Sequence, residues 1–461
     1  MTKPSSHISQ FDRAYFIGIG GIGMSSLSRY FNNLGWKVAG YDKTSTPLTQ
    51  TLEQEGIEIH YDDLGPSIPE LFQNKEKTLV IYTPAIPINH GELMHVKHND
   101  FQLFKRAEVL GMITRNTKAI GVAGTHGKTT TSTILTHLLH TSNLKCNAFL
   151  GGIATNFNSN FVSSKESQLT VIEADEFDRS FLQLNPFASI ITSTDADHLD
   201  IYGSENQILE GFQEYINLTD KAGFVVKHIN ANIKHSNLIT YNAEIAESSM
   251  LADYNGYNLQ FKEGKFSFDL KIPNGIWENI ILGIPGIHNV ANAIACIITA
   301  IELGVSEKTI RLSLETFKGV KRRFEYHIKK ENKVYIDDYA HHPTEIKALV
   351  SSIRLLYPNK KITAVFQPHL FTRTQDFFNE FAKELSEIDD LVLLPIYPAR
   401  EEPITGVTSD ALLSIISSNH KIVLKPNDAI QHCVTSQSEI ILTIGAGDID
   451  EIINPIKQAL A

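Results

Sequence analysis

The sequence predicts an α/β protein of three domains, because a buried strand, a turn and a helix follow one another three times, with glycines in the first two of these turns. These three starts are AYFIGIGGIG near residue 14, TKAIGVAG near residue 117 and KVYIDDYAHHPTE near residue 333. Strands that alternate with helices form mainly parallel sheets. We predict domains at 1–115, 116–318 and 319–461: a Rossmann-like domain, a P-loop ATPase-like domain with a mixed sheet, and a second Rossmann-like domain.

The composition narrows the class of protein. The net charge of −11 argues against nucleic acid as a partner. The longest apolar run, AIACIITAI, is too short to cross a membrane, and the N-terminal residues do not resemble a secretory signal. Three widely spaced cysteines suggest neither a disulfide framework nor a structural zinc site. We therefore expect a cytoplasmic protein that concentrates its positive charge locally.

The first domain opens with strand AYFIGI, helix MSSLSRYFNNLG, strand KVAGYD and, later, strand TLVIYTPAI. Between the first strand and helix stands Gly18-x-Gly20-x-x-Gly23, and Asp42 ends the next strand. This pattern is typical of NAD-binding domains. However, it specifies only a backbone cradle for a diphosphate and an acid for a ribose hydroxyl. Any ligand with both groups fits it.

The second domain begins with strand TKAIGVAG, loop GTHGKTTT and helix TTTSTILTHLLH. Glycines at 124 and 127 let backbone N–H groups face a polyphosphate, Lys128 reaches its outer oxygens and Thr129 can bind Mg²⁺. The strict P-loop pattern has a glycine where this chain has Val122. The strand–loop–helix context nevertheless predicts a nucleoside triphosphate site.

Acidic residues and a histidine follow the next two strands of this domain. Glu173, Asp175, Glu176 and Asp178 lie in VIEADEFD, and we expect some to hold a metal opposite the P-loop and others to be solvated. His198 in TDADHLD is either a cap at the strand end or a ligand of a second metal.

The remaining chain predicts hairpins over 222–283, with FKEGKFSFDLKI the clearest, and then helix GIHNVANAIACIITAIELG. The third domain continues with strands KITAVF, DLVLLPIY and EIILTIGAGD. A hydrolytic metal site at Asp337, Asp338, His341 and His342 is an alternative there. We favour structural roles, because adjacent histidines at a strand-to-helix turn point apart and Pro343 suits a first helical turn.

Six motifs in this order resemble the Mur ligase family, which builds the peptide of bacterial cell-wall precursors. They are GTHGKTTT, EADEFD, DADHLD, GIHNVANA, RRFE and DDYAHHPTE. The segments FIGIGGIGMS, FQPHLFTRT and GAGDI are similar to those of its L-alanine-adding members. The resemblance implies an ATP- and Mg²⁺-dependent amide ligase that joins L-alanine to the lactyl carboxylate of UDP-N-acetylmuramate through an acyl phosphate.

The resemblance also implies roles for individual residues. The first loop then holds UDP and not NAD, through Gly18, Gly20, Gly21, Ile22, Gly23, Asp42 and Thr83. ATP is bound by Gly124, Thr125, His126, Gly127, Lys128, Thr129, Thr130, Asn289, Asn292, Arg323 and Asp338. Metal ligands are Thr129, Glu173 and His198, and the residues with catalytic roles are Lys128, Glu173, His198, Arg323, His369 and Arg373.

The chain departs from the family pattern at two positions. Several Mur ligases carry a carbamylated lysine where this chain has Phe212, so we expect no carbamate. Some relatives have an arginine where this chain has Leu370, which leaves Arg373 as the expected clamp for the amino-acid carboxylate. If Arg373 were instead a surface residue, it would pair with Asp376 or Glu380.

Other functions remain open from the sequence. They are a ligase of the same family that recycles murein tripeptide, an NAD-dependent dehydrogenase, the hydrolase mentioned above and a non-enzymatic ATP-dependent binding protein. We expect a monomer or a homodimer without nucleic-acid or membrane partners.

Overall fold

The computed structural model describes residues 8, 10–195, 202, 204–243, 252–262, 265–399 and 401–461. The chain divides into two compact units. Unit 1 contains 1–259, 267–283 and 289–318, and unit 2 contains 260–266, 284–288 and 319–461. The predicted boundary at 115 falls inside unit 1 and remains a prediction. Among the described residues, no helix has the length and apolar character needed to span a bilayer.

The first sheet, in unit 1, has five parallel strands in the order β3-β2-β1-β4-β5. Its strands are β1 (Arg13–Ile17), β2 (Lys37–Tyr41), β3 (Glu58–His60), β4 (Thr78–Tyr82) and β5 (Leu103–Lys105). Its helices are α1 (Ile22–Asn33), α2 (Pro47–Gln54), α3 (Gly91–His98) and α4 (Arg106–Thr114). The four apolar residues at 14–17 of β1 are fully buried, as expected for a parallel strand covered on both faces.

The second sheet, in unit 1 except for residues 260–266, has ten strands in the order β15-β14-β13-β12-β11-β10-β6-β9-β7-β8. The strands joined by parallel pairs are β6 (Lys118–Ala123), β7 (Asn147–Ala154), β9 (Leu169–Glu173), β10 (Ala188–Ile191), β11 (Phe224–His228), β12 (Leu238–Ala243) and β13 (Tyr254–Lys262). The others are β8 (Ser159–Val162), β14 (Lys265–Ile272) and β15 (Gly275–Leu282). Strands β7 and β8 pair antiparallel, so the predicted mixed sheet is confirmed.

Four helices pack on this second sheet, and α1 of the first sheet packs against its strands β7 and β8. The four helices are α5 (Lys128–Thr141), α6 (Glu205–Asn217), α7 (Ile287–Glu302) and α8 (Glu307–Thr316). Tyr30 of α1 packs its ring 5.4 Å from that of Phe149 and 6.0 Å from that of Phe161. Next to it, the buried Arg29 binds Glu55 through Nε at 2.8 Å and donates to the Asn160 amide oxygen. One apolar core therefore extends between α1 and strands β7 and β8.

The third sheet, in unit 2, has six strands in the order β16-β17-β21-β18-β19-β20, parallel except for the first pair. The strands are β16 (Glu325–Lys329), β17 (Val334–Asp338), β18 (Ile362–Phe366), β19 (Asp390–Leu393), β20 (His420–Val423) and β21 (Ile440–Ile444). The helices are α9 (Pro343–Leu356), α10 (Phe371–Asp376), α11 (Phe378–Leu385), α12 (Ser409–Ile415), α13 (Pro426–Thr435) and α14 (Asp450–Leu460). All three sheets place their sequence motifs at the carboxyl ends of parallel strands, where α/β proteins bind ligands.

Candidate active site

The first glycine-rich loop crosses the carboxyl ends of β1, β2 and β4. The N–H groups of Gly18 and Ile19 donate to Tyr41 O at 2.8 and 2.9 Å. Gly18 has φ +93°, and a Cβ there would collide with the Thr83 side chain. Both reasons require glycine at this position. Thr83 therefore lies at the loop, as the family resemblance implies.

Asp42 is bound to this loop. Its Oδ2 accepts the Gly20 N–H at 2.7 Å, and its Oδ1 accepts the Thr44 N–H at 3.3 Å. Helix α1 begins after Gly21 without a side-chain cap. Uncapped N–H groups at a helix N-terminus favour an anion such as a diphosphate. Helix α1 begins at Ile22, two residues before the predicted start, which brings this N-terminus into the loop.

The P-loop joins β6 to α5. Gly124 has φ +130° and Gly127 has φ +84°, both in the region that favours glycine. The Thr125 hydroxyl donates to Asp195 O at 2.7 Å, and the His126 N–H donates to Ser193 Oγ at 3.0 Å. The loop is thereby attached to the end of β10, the neighbouring strand.

Lys128 is the first residue of α5, and its ammonium group lies inside the loop. Nζ donates to Gly124 O at 2.8 Å, to Thr125 O at 3.3 Å and to Glu176 Oε1 at 2.7 Å. Burial opposes the charge on Lys128, but the carboxylates, Glu176 first, outweigh it and raise its pKa. The sequence offers four acidic residues at this strand end. The structure selects Glu176 as the partner of Lys128.

We expected several of these acids to be exposed to solvent, but the side chain of Glu176 is buried. Its side chain is 3% exposed, whereas those of Asp175 and Asp178 are 37% and 51% exposed. Burial raises the pKa of Glu176 to about 7, although Lys128 lowers it. Glu176 was not among the predicted site residues, because only the fold shows which acid of EADEFD points inward.

Oxygen donors of the expected metal site lie together. The Thr129 hydroxyl donates to Glu173 Oε1 at 3.0 Å, and the Gly151 N–H donates to Glu173 Oε2 at 2.9 Å. Hydroxyl and carboxylate oxygens are ligands that Mg²⁺ prefers. The third predicted ligand, His198, lies outside the described residues. Phe212, at the position of the family's lysine, is buried in α6 with its ring edge toward that of Phe181 at 5.6 Å.

The two asparagines of HNVAN adjoin the P-loop. Asn289 and Asn292 are buried in α7, and Asn292 Nδ2 donates to Asn289 Oδ1 at 3.3 Å. A Cβ at Gly127 would lie 2.7 Å from Asn292 Oδ1. Thr130, on the first turn of α5, is also buried. The structure thus brings both asparagines to the loop.

Unit 2 holds the other predicted residues. Asp338 ends β17 and accepts the N–H groups of Phe324 at 2.7 Å and Ala340 at 2.8 Å. Burial raises the pKa of Asp338 to about 6, although the Arg323 charge lowers it. Arg323 stacks over the Tyr339 ring at 5.2 Å, with Nη1 at 3.9 Å from Glu345 Oε1. Arg323 and Asp338 are therefore neighbours.

Arg322 connects three motifs of this unit and was missed from the sequence. Its Nε donates to Asp337 Oδ2 at 3.1 Å and its Nη2 donates to Gly445 O at 2.7 Å. RRFE, DDYAHH and GAGDI therefore meet at one edge of the third sheet. In the same way, Gln367 of FQPH donates to Asp448 Oδ1 at 2.6 Å and accepts the Ile449 N–H at 2.9 Å.

His369 and Arg373 lie beyond the carboxyl end of β18. Arg373 is 7% exposed, which does not fit the alternative of a surface arginine. Burial lowers the pKa of His369 to about 4, with smaller contributions from the His341 and Arg373 charges. Leu370, between them, has φ +73° and is the N-cap of α10. A leucine there is strained, and such strain tends to be retained at functional sites.

The adjacent histidines of DDYAHH have structural roles. His342 caps α9 by accepting the Thr344 N–H at Nδ1 at 3.3 Å, and its ring packs edge-on against Phe377 at 4.5 Å. The His341 ring nitrogen Nδ1 lies 2.9 Å from Tyr339 O. Within the described part of the chain, the group with metal-ligand spacing is a different one, formed by Glu325, His327 and Asp337. Asp338, His341 and His342 do not belong to this group, so the described residues give the alternative of a hydrolytic metal site no support.

Family models match nearly the whole chain. They are the Mur ligase family catalytic domain at 13–118, the Mur ligase middle domain at 122–300 and the Mur ligase glutamate ligase domain at 322–447. This chain is a Mur ligase. Both glycine-rich loops lie within these matches to Mur ligase domains, so the comparisons do not support the alternative of an NAD-dependent dehydrogenase.

Curated relatives of this Mur ligase extend over its whole length. The UDP-N-acetylmuramate–L-alanine ligase of Cytophaga hutchinsonii is 45% identical over 98% of this chain and 97% of its own. The enzyme of the same name from Christiangramia forsetii is 46% identical over 99% of each chain. Both alignments extend over nearly the whole chain.

Solved structures of similar fold include UDP-N-acetylmuramate-alanine ligase from Thermotoga maritima. It has a TM-score of 0.82 and 26% identity over 97% of this chain and 98% of its own. A murein peptide ligase from Psychrobacter arcticus has a TM-score of 0.67 and 22% identity, covering 97% of this chain and 98% of its own. The second likeness concerns the fold alone. The three-domain α/β architecture predicted from the sequence is confirmed.

Proposed function

We propose that this Mur ligase joins L-alanine to the lactyl carboxylate of UDP-N-acetylmuramate and converts ATP to ADP and phosphate. The observation that carries the proposal is a pair of phosphate-binding loops in unit 1. One is built on Gly18–Gly23 with Asp42, the other on Lys128 with Glu173. Whole-length relatives at 45% identity are named for this reaction.

The first loop would bind the UDP part of the nucleotide sugar. Backbone N–H groups from Gly21 to Gly23, at the N-terminus of α1, suit its diphosphate, and Asp42 suits a ribose hydroxyl. Ile22, in this loop, is 37% exposed. This assignment explains why an NAD-type pattern occurs in an enzyme that carries out no hydride transfer.

The second loop would bind ATP for activation of the carboxylate. A carboxylate is a poor electrophile because its leaving group would be oxide. Transfer of the γ-phosphoryl group to a carboxylate oxygen releases ADP and gives an acyl phosphate. Lys128, Arg323 and the loop N–H groups would orient the phosphates and neutralise their charge. Asn289, Asn292 and Asp338 would hold the nucleoside.

The residues present fit a Mg²⁺ ion. The Thr129 hydroxyl and the Glu173 carboxylate are oxygen donors 3.0 Å apart at the N-terminus of α5. When bound, Mg²⁺ would neutralise charge on the phosphates. His198 is proposed as a further metal ligand on the basis of the family resemblance.

The third sheet would supply the site for the amino acid. The neutral amine of L-alanine attacks the acyl carbon, and the tetrahedral intermediate collapses to the amide and inorganic phosphate. The planar fork of Arg373 matches the alanine carboxylate in two hydrogen bonds. His369 is uncharged at neutral pH, since its pKa is about 4. Arg373 therefore supplies the charge that the carboxylate requires.

The test is phosphate release from ATP with Mg²⁺ and UDP-N-acetylmuramate, with and without L-alanine. We expect sustained release only when all substrates are present, and an amide product of the corresponding mass. Murein tripeptide in place of L-alanine tests the alternative of a recycling ligase. Faster release with the tripeptide would overturn the proposal, and no release with either would favour a binding protein.

We further propose that the enzyme acts in the cytoplasm, where ATP and reduced thiols are available. Cys146, Cys296 and Cys433 are free and buried, which suits a reducing compartment. The monomeric or homodimeric state stays a prediction.

A further inference from the structure

Arg106 is a cation that contacts the first glycine-rich loop. It is the first residue of α4, directly after the edge strand β5. A Cβ at Gly23 would lie 2.7 Å from Arg106 Nη1 and 2.9 Å from its Cδ. Gly23 does not have a positive φ, so its lack of a side chain serves this close approach. The third glycine of the motif therefore makes room for a guanidinium group.

The ion pair that holds Arg106 is long and partly exposed. Its Nη2 lies 3.5 Å from Asp175 Oδ2, and the two side chains are 26% and 37% exposed. A charged hydrogen bond of good geometry is about 2.7–2.9 Å long, and exposed pairs contribute little to stability. Arg106 can therefore exchange Asp175 for another anion at small cost.

The charges around this loop call for such a cation. A diphosphate seated at the N-terminus of α1 brings negative charge to a place where the Asp42 carboxylate already binds the Gly20 N–H. The helix N-terminus offsets only about half an elementary charge. A basic side chain near the loop would balance the remaining negative charge, and Arg106 is one that approaches Gly23.

We propose that Arg106 is a further substrate-binding residue, whose guanidinium leaves Asp175 and binds the diphosphate of the nucleotide sugar. Its planar fork can donate two parallel hydrogen bonds to phosphate oxygens, a geometry that a lysine ammonium does not reproduce. The inference rests on the proposed function, because it assumes that the first loop binds UDP. Arg106 lies outside the glycine pattern and would contribute a charged side chain to the site that the backbone N–H groups form.

The test compares binding of uridine, UDP and UDP-N-acetylmuramate to the full-length wild-type protein and to Arg106→Ala by calorimetry, with uridine measured by competition. We expect Arg106→Ala to weaken UDP and UDP-N-acetylmuramate by at least tenfold each. Uridine affinity should change by less than twofold, since uridine lacks the diphosphate. Arg106→Lys should lie between wild type and Arg106→Ala, because it keeps the charge but not the fork.

Two controls separate this role from a structural one. Lys105→Ala removes the neighbouring cation, whose Nζ lies 3.7 Å from Asp178 Oδ2, and should leave all three affinities within twofold. Asp175→Asn removes the resting partner of Arg106 and should leave UDP affinity unchanged or tighter. A lower melting temperature with parallel losses for uridine and UDP would assign Arg106 to the fold and overturn the proposal.

A third result would also overturn the assignment. If Arg106→Ala weakened UDP-N-acetylmuramate but not UDP, the guanidinium would contact the sugar or its lactyl carboxylate instead of the diphosphate. Failure of the proposed function would look different. It would appear as absent phosphate release in the wild type, whatever the binding data for Arg106 show.

Discussion

Lys128 and Glu176 form an ion pair inside the protein, with side chains that are 14% and 3% exposed. Removing one partner of a buried pair leaves the other charge poorly solvated and costs about 3–5 kcal/mol. The pair also has a functional consequence. The ammonium group that is expected to meet the ATP phosphates rests on a carboxylate, so the phosphates must compete with Glu176 for it.

We predict that Lys128→Met abolishes turnover while UDP-sugar affinity stays within twofold of wild type. The reason is that Lys128 belongs to the P-loop and not to the glycine-rich loop of the first sheet. Steady-state kinetics and calorimetry measure the two quantities side by side. Turnover within tenfold of wild type would contradict the role of Lys128.

The same variant should lose stability in a pH-dependent way. The pKa of Glu176 is about 7 in the folded protein and 4.5 ordinarily, so the folded state keeps a proton that the unfolded state loses. The contribution of the Glu176 carboxyl to the free energy of unfolding is fully present below pH 4.5 and is lost as the pH rises through 7. Without Lys128 the folded pKa rises further, so urea unfolding of Lys128→Met should show a loss of about 3 kcal/mol at pH 8 and less at pH 5. The double variant Lys128→Met, Glu176→Gln should remove most of this difference; an equal loss at both pH values would contradict the prediction.

Arg373 is the second residue whose proposed role depends on its charge and can be tested by substitution. We predict that Arg373→Lys raises KM for L-alanine at least tenfold, about 1.4 kcal/mol, because a lysine loses one of two hydrogen bonds to the carboxylate. KM for ATP should change far less. Arg354→Lys is the matched control, since Arg354 lies on α9 of the same unit and donates to Glu387 O at 2.7 Å. An equal rise in KM for all substrates would place Arg373 outside the acceptor site.

Among the structural elements, the strand–loop–helix unit β1–α1 depends on its glycines in two ways. Gly18 is required by its positive φ. Gly20 is required by space, because a Cβ there would lie 2.8 Å from both Asp42 Oδ2 and Thr49 Cγ2. A side chain at Gly20 would therefore displace the acid as well as block the approach of a diphosphate.

We predict that Gly20→Val raises KM for the nucleotide sugar by at least tenfold and leaves KM for ATP within twofold. The displaced Asp42 would lose its hydrogen bond from the Gly20 N–H, and the valine would occupy the backbone cradle. Kinetics with each substrate varied in turn provides the measurement, and the ATP value is the internal control. Tight NAD binding by the wild type without competition from UDP would refute the assignment of this loop.

For the whole molecule, the predicted site residues divide between two compact units. Unit 1 holds both phosphate loops, Glu173 and the asparagines of HNVAN. Unit 2 holds Arg323, Asp338, His369 and Arg373. The proposed function therefore assigns roles to residues of both units, and its acyl phosphate must be kept from water until the amine attacks.

We predict that hydrogen exchange separates these contributions. UDP-N-acetylmuramate alone should slow exchange of backbone amides in 17–24, and a non-hydrolysable ATP analogue should slow it in 124–130. Protection in 322–341 of unit 2 should require the ATP analogue, because Arg323 and Asp338 are expected to bind ATP. Protection of 322–341 by the nucleotide sugar alone would contradict this division.

The sequence by itself determined the class of fold and the positions of the two glycine-rich loops, whereas the roles of the site residues stay predictions. Glycines with positive φ, such as Gly18, Gly124 and Gly127, are recognisable because they stand at fixed offsets between a buried strand and a helix. The apolar runs of β1 and β18 are likewise recognisable, because strands covered on both faces exclude polar residues over their whole length.

Only the tertiary structure decided which polar side chains meet. Glu176 is one of four acids in a six-residue span, and its burial against Lys128 depends on the turn that follows β9. Arg322 and Arg106 act on partners 15 and 69 residues away, Asp337 and Asp175. Such pairs depend on how strands are ordered in a sheet and how helices pack on it. Local periodicity carries no information on either, because it reports the environment of a residue and not the identity of its neighbours.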